Sequence, residues 1–191
     1  MSEPTPASAS QANEGSEPRR TPLHALHLEL GARMVDFAGW ALPVQYPAGI
    51  MAEHRQCREA AALFDVSHMG QVLVYGDGAD RAFEALVPGN VAELGDDRLR
   101  YTVLTNEHGG VLDDLIVGRV ADGLYVVVNA ACREADLVHL RAALEPAHRV
   151  EELVDRALLA LQGPQAAAVM ARLAPPAADL RFMQAAELDI G

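Results

Sequence analysis

Residues 100–130 read "RYTVLTNEHGGVLDDLIVGRVADGLYVVVNA". Three apolar runs, 100–105, 111–120 and 124–130, are separated by "NEHGG" and by Asp122-Gly123. Short strands joined by glycine-containing turns form an antiparallel meander. The middle run carries Asp113 and Asp114 side by side. A strand turns successive side chains to opposite faces. Asp113 thus shares a face with Val111, Leu115 and Val117, and Asp114 shares the other with Leu112, Ile116 and Val120. Both faces read as apolar, so at least one carboxylate must line a cavity or meet a donor, because a bare charge in an apolar interior neutralises instead. The two acids cannot do the same work. In one reading both serve structure, capping the neighbouring turn or binding arginines such as Arg100 and Arg119; in the other, a carboxylate is held in a pocket to orient or deprotonate a bound nitrogen.

The meander is flanked by helical patterns. "TPLHALHLELGA" (21–32) reads as a short helix with Pro22 at its first position and Gly31 as terminator, and "MAEHRQCREAAALF" (51–64) as a longer one. "DVSHMGQVLVYG" (65–76) alternates like a strand, and a helix over 77–87 closes at Pro88-Gly89. "READLVHLRAAL" (133–144) is an amphipathic helix. A strand over 157–163 and a helix over 164–174 follow, and the chain then reaches "ELDIG" in what reads as another strand. Helices and antiparallel strands mix without a βαβ repeat, so the expected class is α+β. The expected organisation is a disordered tail over 1–20, a main region over 21–150, and the incomplete start of a second α/β unit over 151–191. The tail is rich in Ser, Pro, Ala, Glu and Gln, with neither the apolar core of a secretory signal nor the acid-poor character of a transit peptide. No segment offers the ~18 uninterrupted apolar residues of a membrane span. A cytoplasmic protein without membrane association is expected.

Composition excludes several chemistries. The net charge is −12 and no basic stripe interrupts it, which argues against nucleic-acid binding. All 15 strong bases are arginines; the chain contains no lysine. That removes a P-loop lysine, a pyridoxal Schiff base and every lysine nucleophile. Cys57 and Cys132 lie far apart in no metal-like spacing and read as reduced packing residues, and no metal site is expected. His24 and His27 read as decoration of a helix surface.

Other candidates surround the aspartates. "NEHGG" (106–110) fits a hairpin turn that needs a positive φ better than a phosphate cradle. Tyr101 opens the strand beside the aspartate strand, and Asn129 ends the next. A flat heterocycle that needs stacking and hydrogen bonds together would suit such a set, although a plain strand aromatic and a strand-end cap account for the two residues equally. "FDVSHMG" (64–70) puts Asp65, Ser67 and His68 within four residues. Triad members normally converge from distant segments and no G-x-S-x-G elbow is present, so Ser67 is not read as a nucleophile.

Five ordered blocks, "RMVDFAGWALPVQYP" (33–47), "FDVSHMGQVLV" (64–74), "RYTVLTNEHGGVLDDLIV" (100–117), "YVVVNAACREADL" (125–137) and "LQGP" (161–164), closely resemble the T-protein family of the glycine cleavage system. The likeness runs from about Thr21 to Gly191. It implies a tetrahydrofolate-dependent aminomethyltransferase with a ferredoxin-like body. Its substrate is an aminomethyl group on the lipoyl arm of the H-protein, and its products are ammonia, methylenetetrahydrofolate and the dihydrolipoyl H-protein. The family's working aspartate falls on Asp114, beside the pterin; Tyr101 and Asn129 fall on positions lining the same pocket, and Met69 lies nearby. A carboxylate there can orient the pterin, accept a proton or stabilise developing positive charge.

Family members are roughly twice as long and carry, beyond this point, a Gly-Tyr-Thr-Gly-Glu stretch, further folate contacts and a C-terminal barrel. The chain is therefore expected to be a fragment of the enzyme, truncated before that barrel. The rival reading is a non-catalytic folate-binding or interaction protein. Two relatives in the superfamily fit less well: folate proteins of iron–sulfur assembly carry a Lys-Gly-Cys motif that is absent up to Gly191, and the folate domain of demethylating dehydrogenases follows a flavin domain.

Overall fold

The structure, a computed structural model, describes residues 17–190 apart from Asp122. The tail expected over 1–20 falls outside the described residues as far as residue 16. Within it, Arg19–Arg20 form a short strand, β1, which runs parallel to Trp40–Gln45 (β3). Arg33–Phe37 (β2) pairs antiparallel on the other edge of β3. The Arg19 guanidinium carbon lies 4.4 Å from the centre of the Trp40 ring, and that of Arg133 lies at 5.2 Å. Trp40 is 7% exposed.

The meander forms as read. Leu99–Thr105 (β6), Val111–Val120 (β7) and Gly123–Val128 (β8) are consecutive antiparallel strands. The β6–β7 turn is held by Asn106, whose side-chain oxygen accepts from the N–H groups of His108 and Gly110 at 3.0 and 2.9 Å. Gly109 there has φ 75°, so the glycine pair serves the turn. Gly70–Tyr75 (β5) and Arg149–Glu152 (β9) complete an antiparallel sheet in the order β6-β7-β8-β5-β9.

Two helices cover one face of this sheet. Ala79–Glu84 (α3) and Arg133–Leu144 (α4) place Phe83, Leu137, Leu140 and Leu144 against Val72 and Val74 of β5, Leu115 and Val117 of β7, and Leu124, Val126 and Val128 of β8. Alternation therefore aims Asp113 at the helices with Leu115 and Val117. The opposite face differs from expectation. Ile116 is half-buried, and Leu112 and Val120 are exposed at 45% and 37%. Asp114 thus looks onto an open face of the sheet rather than into a second core.

The remaining elements are His24–Glu29 (α1), Ile50–Glu59 (α2), Ala62–Asp65 (β4), Leu159–Gln162 (β10), Ala166–Leu173 (α5) and a 3-10 turn over Pro175–Asp179. The helix expected over 51–64 is corrected: α2 stops at Glu59, and Ala62–Asp65 pairs antiparallel with β10. The apolar "AALF" suits either state, and pairing with a distant strand decides it. β5 likewise begins at Gly70 because Val66–Met69 form a turn closed by the Met69 N–H donating to Val66 O at 3.0 Å. Strands β2, β3 and β9 went unread in the sequence.

Gly163, just after β10, has φ +119°, and a Cβ there would lie 2.4 Å from Ala60 O and 2.6 Å from Cys57 O. Both are backbone atoms at the end of α2, so they cannot yield as a side chain tip can. Gly163→Ala is expected to destabilise the chain by about 2 kcal/mol or more. A denaturant midpoint unchanged from wild type would exclude this strain.

Candidate functional site

Three residues meet where β7 begins and β8 ends. Leu115 pairs with Val128, so Asn129 follows in register beside Asp114. The Asn129 side-chain N–H groups donate to Asp114 Oδ1 at 3.1 Å and Asp114 O at 3.0 Å, and to Asp113 Oδ1 and Oδ2 at 3.2 Å each. One amide thus holds both aspartates from the end of the neighbouring strand. Asp113 was expected to bond a turn or an arginine; Arg119 instead pairs with Asp80 at 2.9 Å, and Asn129 serves Asp113.

Tyr101 lies across the other edge of β7, paired with Ile116, one alternation from the Val103–Asp114 pair. Its ring is 58% exposed on the open face. The charge of Asp114 pushes the Tyr101 phenol above its usual range, with desolvation and a hydrogen bond to the same carboxylate acting alongside. Gln71 and Tyr125 continue that face, the tyrosine hydroxyl donating to Gln71 Oε1 at 2.8 Å. There the segment after β9 covers it, with Gln71 Nε2 donating to Arg156 O at 3.1 Å. The uncovered part is the Tyr101–Asp114 end. Met69 directly precedes Gly70, which pairs with Val128, so Met69 stands in register beside Asn129. The four sequence-read residues therefore gather at one end of the sheet.

Asp136 was not foreseen. It lies in the first half of α4, 4% exposed, and faces Asp113. Burial first, then the hydrogen bond and charge of Asp113 and the charge of Asp114, push its carboxyl up to about 7. Burial and the same acids push the Cys132 thiol up as well. A signal for Asp136 did exist: 133, 136, 137, 140 and 144 form the buried stripe of α4, and an acid on that stripe needs a partner.

A second polar cluster corrects the reading of His27. The ring is 4% exposed, not on a helix surface. Its Nε2 lies 2.8 Å from Asp65 Oδ2 and its Nδ1 2.7 Å from the Tyr46 hydroxyl. Asp65 also accepts from Thr21 Oγ1 at 2.7 Å and from the Ser67 N–H at 2.9 Å. Ser67 Oγ accepts from the Leu158 N–H at 2.9 Å. Asp65, Ser67 and His27 are thus joints between segments. A cavity of about 480 Å³ lies nearby, lined by Leu42, Tyr46, Gln56 and Phe64 among others, away from Asp114. Cys57 and Cys132 are both free. Among the described residues, no helix is long and apolar enough to cross a membrane, and no group of His, Cys, Asp and Glu is arranged to hold a metal ion.

With this geometry in view, residues 23–191 match the GCVT N-terminal domain. The chain belongs to that family. It is 51% identical over 150 residues to an aminomethyltransferase of Rubrobacter xylanophilus, covering 78% of this chain and 40% of that protein. It is 44% identical over 179 residues to the human mitochondrial aminomethyltransferase, covering 90% of this chain and 44% of the human protein. Among solved structures, the glycine cleavage system aminomethyltransferase T of Bartonella henselae superposes with a TM-score of 0.81 at 42% identity, over 87% of this chain and 46% of that one. The chain thus spans less than half the length of these GCVT relatives.

Proposed function

We propose that this GCVT-family chain supplies the tetrahydrofolate side of an aminomethyltransferase of the glycine cleavage system, with Asp114 as its catalytic carboxylate. The observation that carries the reading is the placement of Asp114 on an uncovered sheet face between an exposed tyrosine ring and a donating amide. A pterin needs an aromatic surface, a hydrogen-bonding edge and a base within reach, and these residue types fit it. When bound, tetrahydrofolate would supply N5 and N10 to take the methylene of the aminomethyl group from the lipoyl arm of the H-protein, its C–N bond breaking to release ammonia and its C–S bond breaking to leave the dihydrolipoyl thiol. Asp114 orients N5 and takes its proton; Asn129 fixes the carboxylate; Tyr101 offers the ring face, with Met69 beside Asn129 as a further wall. Positioning two bulky carriers accounts for much of the rate enhancement.

The same reading takes the frame β5-α3-β7-β8-α4-β9, with β6 added at the edge, as a ferredoxin-like body. It assigns folate binding to 21–150, the opening of a second α/β unit to 151–191, and the missing half of the pocket to the part of the longer relatives that this chain does not span. The lipoylated H-protein is the proposed partner, the route is glycine catabolism and the setting is cytoplasmic.

Calorimetric titration of the chain with tetrahydrofolate tests the folate site; no heat of binding at millimolar ligand would defeat it. Tyr101→Ala is expected to weaken that binding about tenfold while leaving the fold intact, because the ring stabilises a stacked partner and packs against little else. Tyr101→Phe should keep most of the affinity. Transfer is checked by ammonia release from aminomethylated H-protein.

A further inference from the structure

We propose that Asp136 is a positioning residue for this site: as a protonated acid it anchors Asp113 on the helix side of β7, so that the single Asn129 amide stays on Asp114 at the opposite face. The proposal rests on the reading of Asp114 as the working carboxylate. Its basis is a buried polar arrangement that only a proton completes. Asp136 is 4% exposed, and its Oδ2 is buried without a hydrogen-bond partner. The groups facing it are Asp113 from β7, which shares a hydrogen bond with it, and the Cys132 thiol from the turn before α4, while Asp114 acts on it only as a charge on the other face of β7. Along α4 itself, the Arg133 guanidinium is taken by Glu152 of β9, at 2.7 Å from Nε and 2.6 Å from the terminal nitrogen. His139, three residues on, leaves its Nε2 buried and unpaired.

No cation among these described groups bonds Asp136. Two facing carboxylates without a cation cannot both stay ionised in such a place. One proton removes the conflict, since the Asp136 hydroxyl then donates to Asp113. Burial and its acidic neighbours hold that proton up to about pH 7.

The link to the open face is Asn129. Its two side-chain hydrogens are divided among both oxygens of Asp113 at 3.2 Å, Asp114 Oδ1 at 3.1 Å and Asp114 O at 3.0 Å. If Asp136 ionises, Asp113 gains a like charge behind it and draws harder on the amide in front. Asp114 then loses its share. The folded carboxyl binds its proton more tightly than an unfolded aspartate at 3.8, so this contribution is complete below about pH 4 and is lost as pH rises through about 7. The site is therefore intact on the acid side and loosens on the alkaline side.

Carbon NMR of aspartate carboxyls, read with the Asn129 side-chain amide signals between about pH 5 and about pH 9, tests this on the full 191-residue chain. The expected result is one carboxyl titrating near 7, with the amide signals moving at the same midpoint. Asp136→Asn, which keeps a neutral donor, should abolish both changes. It should also hold tetrahydrofolate affinity constant across the range, whereas the wild type weakens about tenfold above its midpoint, as for one charge-assisted hydrogen bond.

Should Asp136→Asn fail to fold, the wild-type titration decides alone. Amide signals that stay fixed while the carboxyl titrates, or no carboxyl titrating in that range, overturn the proposal. A wild type that binds no tetrahydrofolate at any pH, yet shows the coupled titration, overturns the folate reading and leaves the Asp136–Asn129 coupling supported.

Discussion

Asp114→Asn is expected to fold as the wild type does, to keep much of its tetrahydrofolate affinity, and to lose at least about a hundredfold in aminomethyl transfer, the usual scale for removal of a general base. The substitution is isosteric, and the side chain stands on a half-open sheet face, so packing changes little. A carboxamide can still orient a ring by hydrogen bonding, which is why binding survives. It cannot take a proton or stabilise positive charge. The split between retained affinity and lost turnover distinguishes this role from a merely structural one. Asp113→Asn is the matched control: it removes a charge one residue away on the helix side and should leave far more activity. Turnover measured with aminomethylated H-protein in the full-length relatives' background reads both. Near wild-type rates for Asp114→Asn would end the assignment.

Asp65→Ala is expected to destabilise the chain by about 4 kcal/mol. The carboxylate is 1% exposed and accepts from Thr21, His27 and the Ser67 backbone. Each donor stranded in the interior costs about 1–3 kcal/mol. The side chain also ties the segment before α1 to α1 and to the turn after β4, so its loss loosens three connections at once. Despite burial, which alone would raise it, these bonds hold the carboxyl below its usual value. A depressed carboxyl contributes stability that is present above the unfolded value of 3.8 and lost as pH falls below it. Wild type should therefore show an acid limb in its melting temperature below about pH 4 that is smaller in Asp65→Ala, where Asp80, held down by Arg119, still contributes. Equal melting temperatures at neutral pH would refute the joint.

Local pattern carried most of the meander. β7 at Val111–Val120 and α4 at Arg133–Leu144 follow directly from alternation and from helical periodicity. Pattern failed where a segment's state depends on a distant partner. "AALF" is a strand only because β10 lies beside it, and β2 and β3 pair through a turn whose Ala38 and Gly39 have φ 50° and 77°. The aspartate pair was legible as two environments on one strand. The shared amide was not, because Asn129 reaches both faces only by standing past the end of β8. Asp136 and His27 were missed for a common reason: each sits on a helix face whose burial is set by what packs over it.

The site's two principal side chains ride on strands of unequal confinement. Asp114 belongs to β7, hydrogen-bonded on both sides, whereas Tyr101 belongs to β6 at the sheet's margin, with strand pairing on one side. Thermal opening reaches the margin of a sheet before its interior. On the proposed folate reading, the edge strand that carries Tyr101 would open for a flat ligand more readily than the strand that carries the acid. Ligand exchange and proton chemistry would then fall to different parts of one sheet, and hydrogen exchange should find the Tyr101 amide opening faster than that of Asp114.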